Sequence, residues 1–247
     1  MQIDREIYFI RHGETEWNNL GLGQGSKNDI ELNKTGREQS RLTGKYLKDY
    51  RIDDKQFDLV LCSPMLRAKE TAEIICKQIK YDPKKIKYFD ELVELDHGLL
   101  SIGKTDEELK KDKFYDDYFK MKKKIKDIID PIENIMTYKF SNDTVKPNNK
   151  YEVETLDSLL KRCKNIINLI KKSKYKKIMI VCHGGTILNG FITLLFNTYQ
   201  IRGDYTYGGN CHITYVVQQK NKFNLMTAPN TLHFAIYNKN YNKKNNV

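Results

Sequence analysis

Two strand-like runs with the same ending organise the pattern of apolar and polar positions. Residues 7–10 (Ile7, Tyr8, Phe9, Ile10) are continuously apolar and stop on Arg11, His12 and Gly13. Residues 177–182 (KIMIVC) stop in the same way on His183, Gly184 and Gly185. Short apolar runs bounded by glycine read as buried strands, the kind that parallel sheets cover on both faces. Residues 57–62 (FDLVLC), the short stretch 87–89 and a late pair at 211–217 and 223–227, with a polar turn between them, are the other candidate strands.

Between these runs the pattern takes the helical period. A helix is predicted over residues 36–50, opened by Thr35 with Glu38 three residues on, the capping-box spacing. Ser63 as N-cap and Pro64 at the first helical position start a second helix. In it Leu66, Ala72, Ile75 and Ile79 face the core, and Arg67 points back toward the preceding strand end. Residues 105–130 form a Lys/Asp/Glu-rich helix, residues 156–170 an amphipathic one, and residues 186–196 an apolar one. Strands near 7, 58, 87 and 178 alternating with helices predict a three-layer α/β/α sandwich with a mainly parallel central sheet. The length fits one domain over residues 1–237, with a Lys-rich insertion at about 99–150 and an Asn/Lys-rich flexible tail at 238–247.

The two histidines then acquire a setting. In open α/β sheets ligands bind in the crevice beyond the carboxyl ends of the strands, which is where His12 and His183 would both sit. An imidazole there can be a nucleophile, an acid or base, a metal ligand, or a buried histidine with satisfied nitrogens. One histidine beside an arginine and another beside a Gly-Gly that opens a helix favour an anion site. Arg67 adds a cation at a helix N-terminus, where its charge opposes the helix dipole and calls for a negative partner. Glu91, Glu94 and Asp96, beside another strand end, supply candidate proton donors, or only a solvated acidic loop.

Composition narrows the setting. The five cysteines are odd in number, scattered and mostly within apolar runs, with no metal-ligand spacing, so a reducing, cytoplasmic location is expected. No signal-peptide pattern and no run of membrane-spanning length is present, and the protein is expected to be soluble. The net charge of +11 is compatible with nucleic acid, an anionic membrane surface or a phosphorylated substrate. Its basic residues are spread over many stretches without a recognised binding module, which disfavours the first. The glycines of residues 18–31 lack the lysine and Ser/Thr of a P-loop and mark a substrate-side loop at best.

Taken in order, RHGETEWN (11–18), QGSKNDIELNKTGREQ, SPMLRAKETA, ELVELDHG, VETLDSLLKR, VCHGGTI and a late GGN followed by APNTLHF resemble the histidine phosphatase superfamily, which includes the cofactor-dependent phosphoglycerate mutases. The resemblance covers most of residues 7–98 and 151–234 and implies a phosphoglycerate mutase-like fold. It implies that His12 is a nucleophile carrying a phosphohistidine, that Arg11, Arg67 and His183 surround the phosphoryl oxygens, and that Glu94 is the proton donor and acceptor. Glu94 is chosen over Glu91 because the family places a glutamate four residues before a glycine, here Gly98. Asn18, Gln24, Gly25 and the backbone at Gly184 would bind substrate. Neither a metal nor another cofactor is implied.

Between Gly98 and Lys150 the chain has many lysines but neither arginine nor paired proline, the mutase-like signatures, which favours a phosphatase over a phosphoglycerate mutase. A non-catalytic phospho-ligand binder is a third reading, set against by the presence of both His12 and Glu94. The expected partner is a small phosphorylated substrate or a phosphoprotein, with neither nucleic acid nor membrane; a homodimer stays open. The insertion, with Lys104, Lys110, Lys111 and Lys113, would serve as a lid or specificity segment, or merely as a solvated stretch.

Overall fold

The first strand, β1 (Arg5–Arg11), extends beyond its apolar run because Arg5 and Glu6 also pair with a neighbouring strand. The computed structural model describes residues 3–26, 28–50, 56–96, 98, 101–111, 154–196 and 209–237. After β1 come a helical turn, α1 (Glu16–Asn19), the long helix α2 (Lys34–Asp49), strand β2 (Leu59–Cys62) and helix α3 (Leu66–Gln78). A short strand β3 (Lys87–Tyr88) leads into a 3₁₀ turn at Asp90–Leu92 and helix α4 (Asp106–Lys110). Helix α5 (Leu156–Lys172), strand β4 (Lys177–Cys182), a π-helical stretch at Thr186–Ile192 and helix α6 (Thr193–Phe196) follow. Strands β5 (Ile213–Gln219) and β6 (Lys222–Asn230) and the short helix α7 (His233–Tyr237) complete the described chain.

The strands form one mixed sheet in the order β3-β2-β4-β1-β5-β6. β3, β2, β4 and β1 pair in parallel, and β5 and β6 are antiparallel additions. Strand alternation divides the core in two. Ile7, Phe9, Leu59, Leu61, Ile178 and Ile180 pack on one face with Leu159, Cys163, Ile166 and Ile170 of α5. Tyr8, Ile10, Val60, Cys62, Met179 and Val181 pack on the other with Ala68, Ala72 and Ile75 of α3. Helices therefore cover both faces, as the unbroken apolar runs require. Truncating one such fully buried isoleucine or leucine costs about 2–5 kcal/mol.

Several local expectations are corrected. α2 is capped by Asn33, not Thr35: Asn33 Oδ1 accepts from the Gly36 N–H at 2.8 Å while its amide donates to Glu14 at 2.9 Å, so the same residue ties the helix to the loop after β1. Glu38 pairs instead with Arg41 at 2.6 Å on the exposed face. α3 begins at Leu66, not at Pro64, with Met65 as an N-cap lacking a side-chain bond; the Ser63 hydroxyl accepts from the Met65 N–H at 3.3 Å and also bonds His183. Leu66, expected in the core, is 37% exposed, while Arg67 is fully buried in its place. The apolar helix after β4 is π-helical before it becomes α-helical. Of the helix predicted over 105–130, the first turn is present and carries a Thr105/Glu108 capping box. The rest of that helix, the insertion through 150 and the tail at 238–247 lie outside the described residues.

Candidate active site

Parallel pairing of β1 with β4 puts Arg11 level with Cys182, so the next residue of each strand, His12 and His183, emerges at the same carboxyl edge. The His12 N–H donates to the Cys182 carbonyl at 2.9 Å, and the two imidazole rings lie 5.2 Å apart at an interplanar angle of 56°. Both rings are buried. Burial first, then the positive charges of Arg67 and Arg11, hold the His12 imidazole well below the ordinary histidine range. Burial, Arg67, the His12 ring and Arg11 do the same to His183. Both rings are therefore neutral at pH 7.

Their hydrogen bonds differ in kind. His12 Nδ1 lies 2.7 Å from the Gly13 carbonyl. A carbonyl only accepts, so Nδ1 carries the hydrogen and Nε2 keeps its lone pair. His183 instead uses Nε2, 2.8 Å from the Ser63 hydroxyl, and its Nδ1 has no hydrogen-bond partner within the described residues. Gly13 permits a close crossing here: a Cβ on it would lie 2.5 Å from the Gly36 carbonyl of α2.

Arg67 enters from the start of α3 and is fully buried. Its Nη1 donates to the Asn28 carbonyl at 3.0 Å and its Nη2 to the Gly25 carbonyl at 2.9 Å, while Nε has no partner among the described residues. Burial pushes its pKa down to about 10, against the opposing pull of the Glu94 and Asp29 carboxylates. These are the negative groups that an arginine at a helix N-terminus calls for. Asp29 also accepts from the Leu66 N–H at the first residue of α3. The Thr71 hydroxyl joins the halves of the site, donating to the Arg67 carbonyl at 2.7 Å and accepting from the Gly13 N–H at 2.9 Å.

Glu94 reaches the β4 end from the segment after β3. Its Oε1 accepts from the N–H groups of Leu95 and Thr186 at 2.7 and 3.0 Å, and its Oε2 from that of Gly185 at 3.3 Å. Gly185 is required for this approach, since a Cβ would lie 2.6 Å from Oε1. Glu91 lies in the 3₁₀ turn, where its carbonyl accepts from Arg162; the carboxylate brought to the β4 end is that of Glu94.

The predicted binding residues are distributed around this core. Asn18 closes the capping box of α1 with Thr15, and its Oδ1 also accepts from Asn210 at 3.0 Å, so only its N–H₂ group is left for a ligand. Gln24 is buried, and its Oε1 has no partner among the described residues. Gly25 adopts φ +58 and spends its carbonyl on Arg67. Gly184 is buried between His183 and the π-helical stretch.

Sequence reasoning gave no site role to Ser63 or Asn210. Ser63 carried only a capping signal, and its hydroxyl both accepts from the Met65 N–H and bonds the His183 ring. Asn210 lay in the late GGN and is revealed only because it bridges Asn18 and the His12 carbonyl. Arg162 and Glu154, within VETLDSLLKR, likewise had no role until the structure joined them to the Glu94 segment.

The arrangement has counterparts among known proteins. Residues 7–129 and 132–231 match the histidine phosphatase superfamily (branch 1). The chain is 32% identical over 182 residues to the uncharacterized phosphatase PhoE of Bacillus subtilis (strain 168), covering 73% of this chain and 72% of that protein. Two further curated relatives are matched over only 26% and 33% of their own length. Among solved structures, a phosphoserine phosphatase mutant from Entamoeba histolytica is 25% identical with a TM-score of 0.68, covering 93% of this chain and 98% of that one. The phosphoglycerate mutase of Bacillus anthracis str. Sterne, 21% identical with a TM-score of 0.67 over 94% of this chain and 95% of that one, shares the fold. With two neutral histidines and a buried arginine at one sheet edge, and a family match spanning nearly the whole chain, the protein belongs to the histidine phosphatase superfamily and is a phosphatase.

Proposed function

We propose that the protein hydrolyses small phosphomonoesters by way of a phosphohistidine on His12 Nε2. The observation that carries this reading is the hydrogen bond from His12 Nδ1 to the Gly13 carbonyl, which leaves an unprotonated Nε2 inside a cationic site. The Nε2 lone pair attacks phosphorus and the bond to the ester oxygen breaks. Arg11, the free Nε edge of Arg67 and the Nδ1–H of His183 face the three non-bridging oxygens, where fixed donors in a buried site act more strongly than water. For His183 to offer that hydrogen its Nε2 must accept, and Ser63 suits this: its hydroxyl oxygen already takes the Met65 N–H at 3.3 Å and turns its own hydrogen to the ring.

Glu94 protonates the departing oxygen from Oε2, the oxygen with the single long N–H contact, and then takes a proton from the water that releases inorganic phosphate. The N–H₂ groups of Asn18 and Gln24 add neutral donors at the rim. All phosphoryl charge is met by protein groups, so turnover is expected to be unaffected by EDTA. The five cysteines are free, buried thiols, which supports a reducing, cytoplasmic compartment.

Quenching in alkaline SDS after reaction with ³²P-labelled p-nitrophenyl phosphate, followed by acid and base treatment of the labelled protein, tests the reading. An acid-labile, base-stable phosphoprotein is expected in the wild type and none in His12→Ala. An acid-stable phosphoester, or equal labelling of both proteins, would overturn it. Conversion of 3-phosphoglycerate measured in parallel separates hydrolysis from phosphoryl transfer between positions of one substrate.

A further inference from the structure

The segment that carries Glu94 belongs to no long element. It runs from a 3₁₀ turn through residues 93–96, and without support a carboxylate there would sample several positions. It is gripped from outside the site by two residues of the α5 region. Arg162 donates through Nη1 to both the Glu91 and the Val93 carbonyls, each at 2.7 Å. Its Nε and Nη2 make a bidentate pair with Glu154 at 2.7 and 2.9 Å. Glu154 in turn holds the far side of the segment: its N–H donates to the Asp96 carbonyl at 2.8 Å and its Oε2 accepts from the Asp96 N–H at 3.3 Å. The grip therefore touches positions 91, 93 and 96 and leaves Glu94 between its contacts.

The inner side of the same segment is tied to the helix that follows His183. The Thr186 hydroxyl donates to the Val93 carbonyl at 2.6 Å, so that carbonyl uses one lone pair for Arg162 and the other for Thr186. Thr186 also donates its N–H to Glu94 Oε1. A planar guanidinium can serve two carbonyls and one carboxylate at once because its donors point in fixed directions in one plane, which a lysine ammonium cannot reproduce. Both side chains of the pair are only 13% exposed, so removing one strands its partner in a poorly hydrated place.

We propose that Arg162 and Glu154 form a positioning clamp that holds the Glu94 carboxyl at the leaving oxygen, so that their contribution to turnover is confined to the proton-transfer step. The proposal rests on Glu94 as the proton donor. Neither residue touches the phosphoryl group: the clamp acts on the backbone on both sides of Glu94. A general acid contributes roughly 10²–10⁴-fold to a reaction that needs one, and its effect depends on hydrogen-bond reach to the leaving atom. A carboxyl displaced by an ångström should forfeit about tenfold to a hundredfold of that.

The test compares two substrates in full-length protein. p-Nitrophenyl phosphate has a leaving oxygen that departs without a proton, whereas glycerol 1-phosphate has an alkoxide that needs one. Arg162→Lys and Glu154→Gln are expected to lower kcat/KM, which reports the steps up to the phosphoenzyme, on glycerol 1-phosphate by about tenfold or more while changing that of the aryl ester less than about threefold, the same direction of selectivity as Glu94→Gln. In a Glu94→Gln background they should add no further selectivity. Arg162→Ala, the harsher variant, is read only at temperatures below its own melting transition. Equal losses on both esters, or no loss, in variants that melt as the wild type does, would overturn the clamp while leaving Glu94 in place. If Glu94→Gln itself reduced both esters equally, the acid assignment would fall and the clamp with it.

Discussion

The ends of β1 and β4 look like copies of each other and are anchored in opposite ways. Each strand stops on an imidazole that burial first, and then the same two arginines, keep neutral. At β1 the ring is fixed by the carbonyl of the very next residue, through Nδ1. At β4 it is fixed through Nε2 by Ser63, 120 positions away in sequence. A carbonyl permits one tautomer only, so local backbone geometry leaves the β1 histidine with an unprotonated Nε2, as the proposed nucleophile requires. A hydroxyl can donate or accept, so the β4 histidine depends on a partner from another strand-to-helix junction to be a donor. Which nitrogen is tied, and by what, makes two equal residues chemically different, and the roles proposed for them, nucleophile and charge stabiliser, rest on that difference.

The sharpest way to break this comparison is to remove each ring in turn. His12→Ala is expected to lose turnover by at least ~10⁴-fold, since the covalent step has no substitute. His183→Ala should lose about 10²–10³-fold, the value of one fixed donor, and should still form a trapped phosphoprotein, slowly. Rapid-quench measurement of labelled enzyme decides. A phosphoprotein that survives in His12→Ala but not in His183→Ala would reverse the assignment.

Next in size is Ser63→Ala, which should leave His12 untouched and cost about tenfold to a hundredfold, the loss seen when the orienting partner of an imidazole is removed. The ¹⁵N shifts of the His183 ring should then report a change of tautomer, with those of His12 unmoved. Equal perturbation of both rings would mean that the serine acts on the whole site.

A smaller effect sharpens the shared part of the comparison. Arg67 lowers the affinity of both rings for a proton, so Arg67→Met should move the acid limb of the phosphorylation rate to higher pH. Burial is the larger cause for both rings and remains, so the limb should stay below the ordinary histidine value near 6.5. A limb that does not move, with catalysis otherwise lowered, would show that Arg67 acts on the phosphoryl group alone.

The smallest expected effect on activity comes from a third histidine, away from the site. His233 on α7 is buried against α2, bonded to Thr43 at 2.9 Å, and burial pushes its pKa down to about 4. A histidine with a folded pKa below its unfolded value binds fewer protons when folded, so its contribution to stability is present above about pH 6.5 and is lost as pH falls toward 4. His233→Gln should flatten that acid slope by at most about 3 kcal/mol in urea melts and leave turnover at pH 7 unchanged. An unaltered slope would assign the acid sensitivity to the two site histidines.

Much of this molecule could be read before it was seen, and the line between the two parts is physical. The parallel strands and their flanking helices follow from apolar runs, period and glycine punctuation, because a strand covered on both faces has no polar side to hide. Where β1 and β4 end was legible for the same reason: Arg11–His12–Gly13 and His183–Gly184–Gly185 interrupt the runs. Family order carried Arg67 and Glu94 to the same crevice.

What the sequence could not decide were choices made by contacts across long separations. Ser63 and Pro64 carry a sound local capping signal, yet the helix starts two residues later, and the hydroxyl that accepts from Met65 also reaches the His183 ring. Thr35 and Glu38 have capping-box spacing, but Asn33 reaches both the helix and Glu14. Leu66 has the right period for the core and Arg67 the wrong character, and their places are exchanged because two loop carbonyls, from Gly25 and Asn28, receive the guanidinium. Glu91 and Glu94 differ little as residues; spacing to Gly98 pointed to Glu94, but the contacts of its carboxylate with the Gly185 and Thr186 N–H groups belong to the tertiary structure. Period and punctuation are local properties and are written into neighbouring residues; the tautomer of a ring and the placing of a carboxylate are set by single hydrogen bonds between distant ones, and those exist only once the sheet has brought the strand ends together.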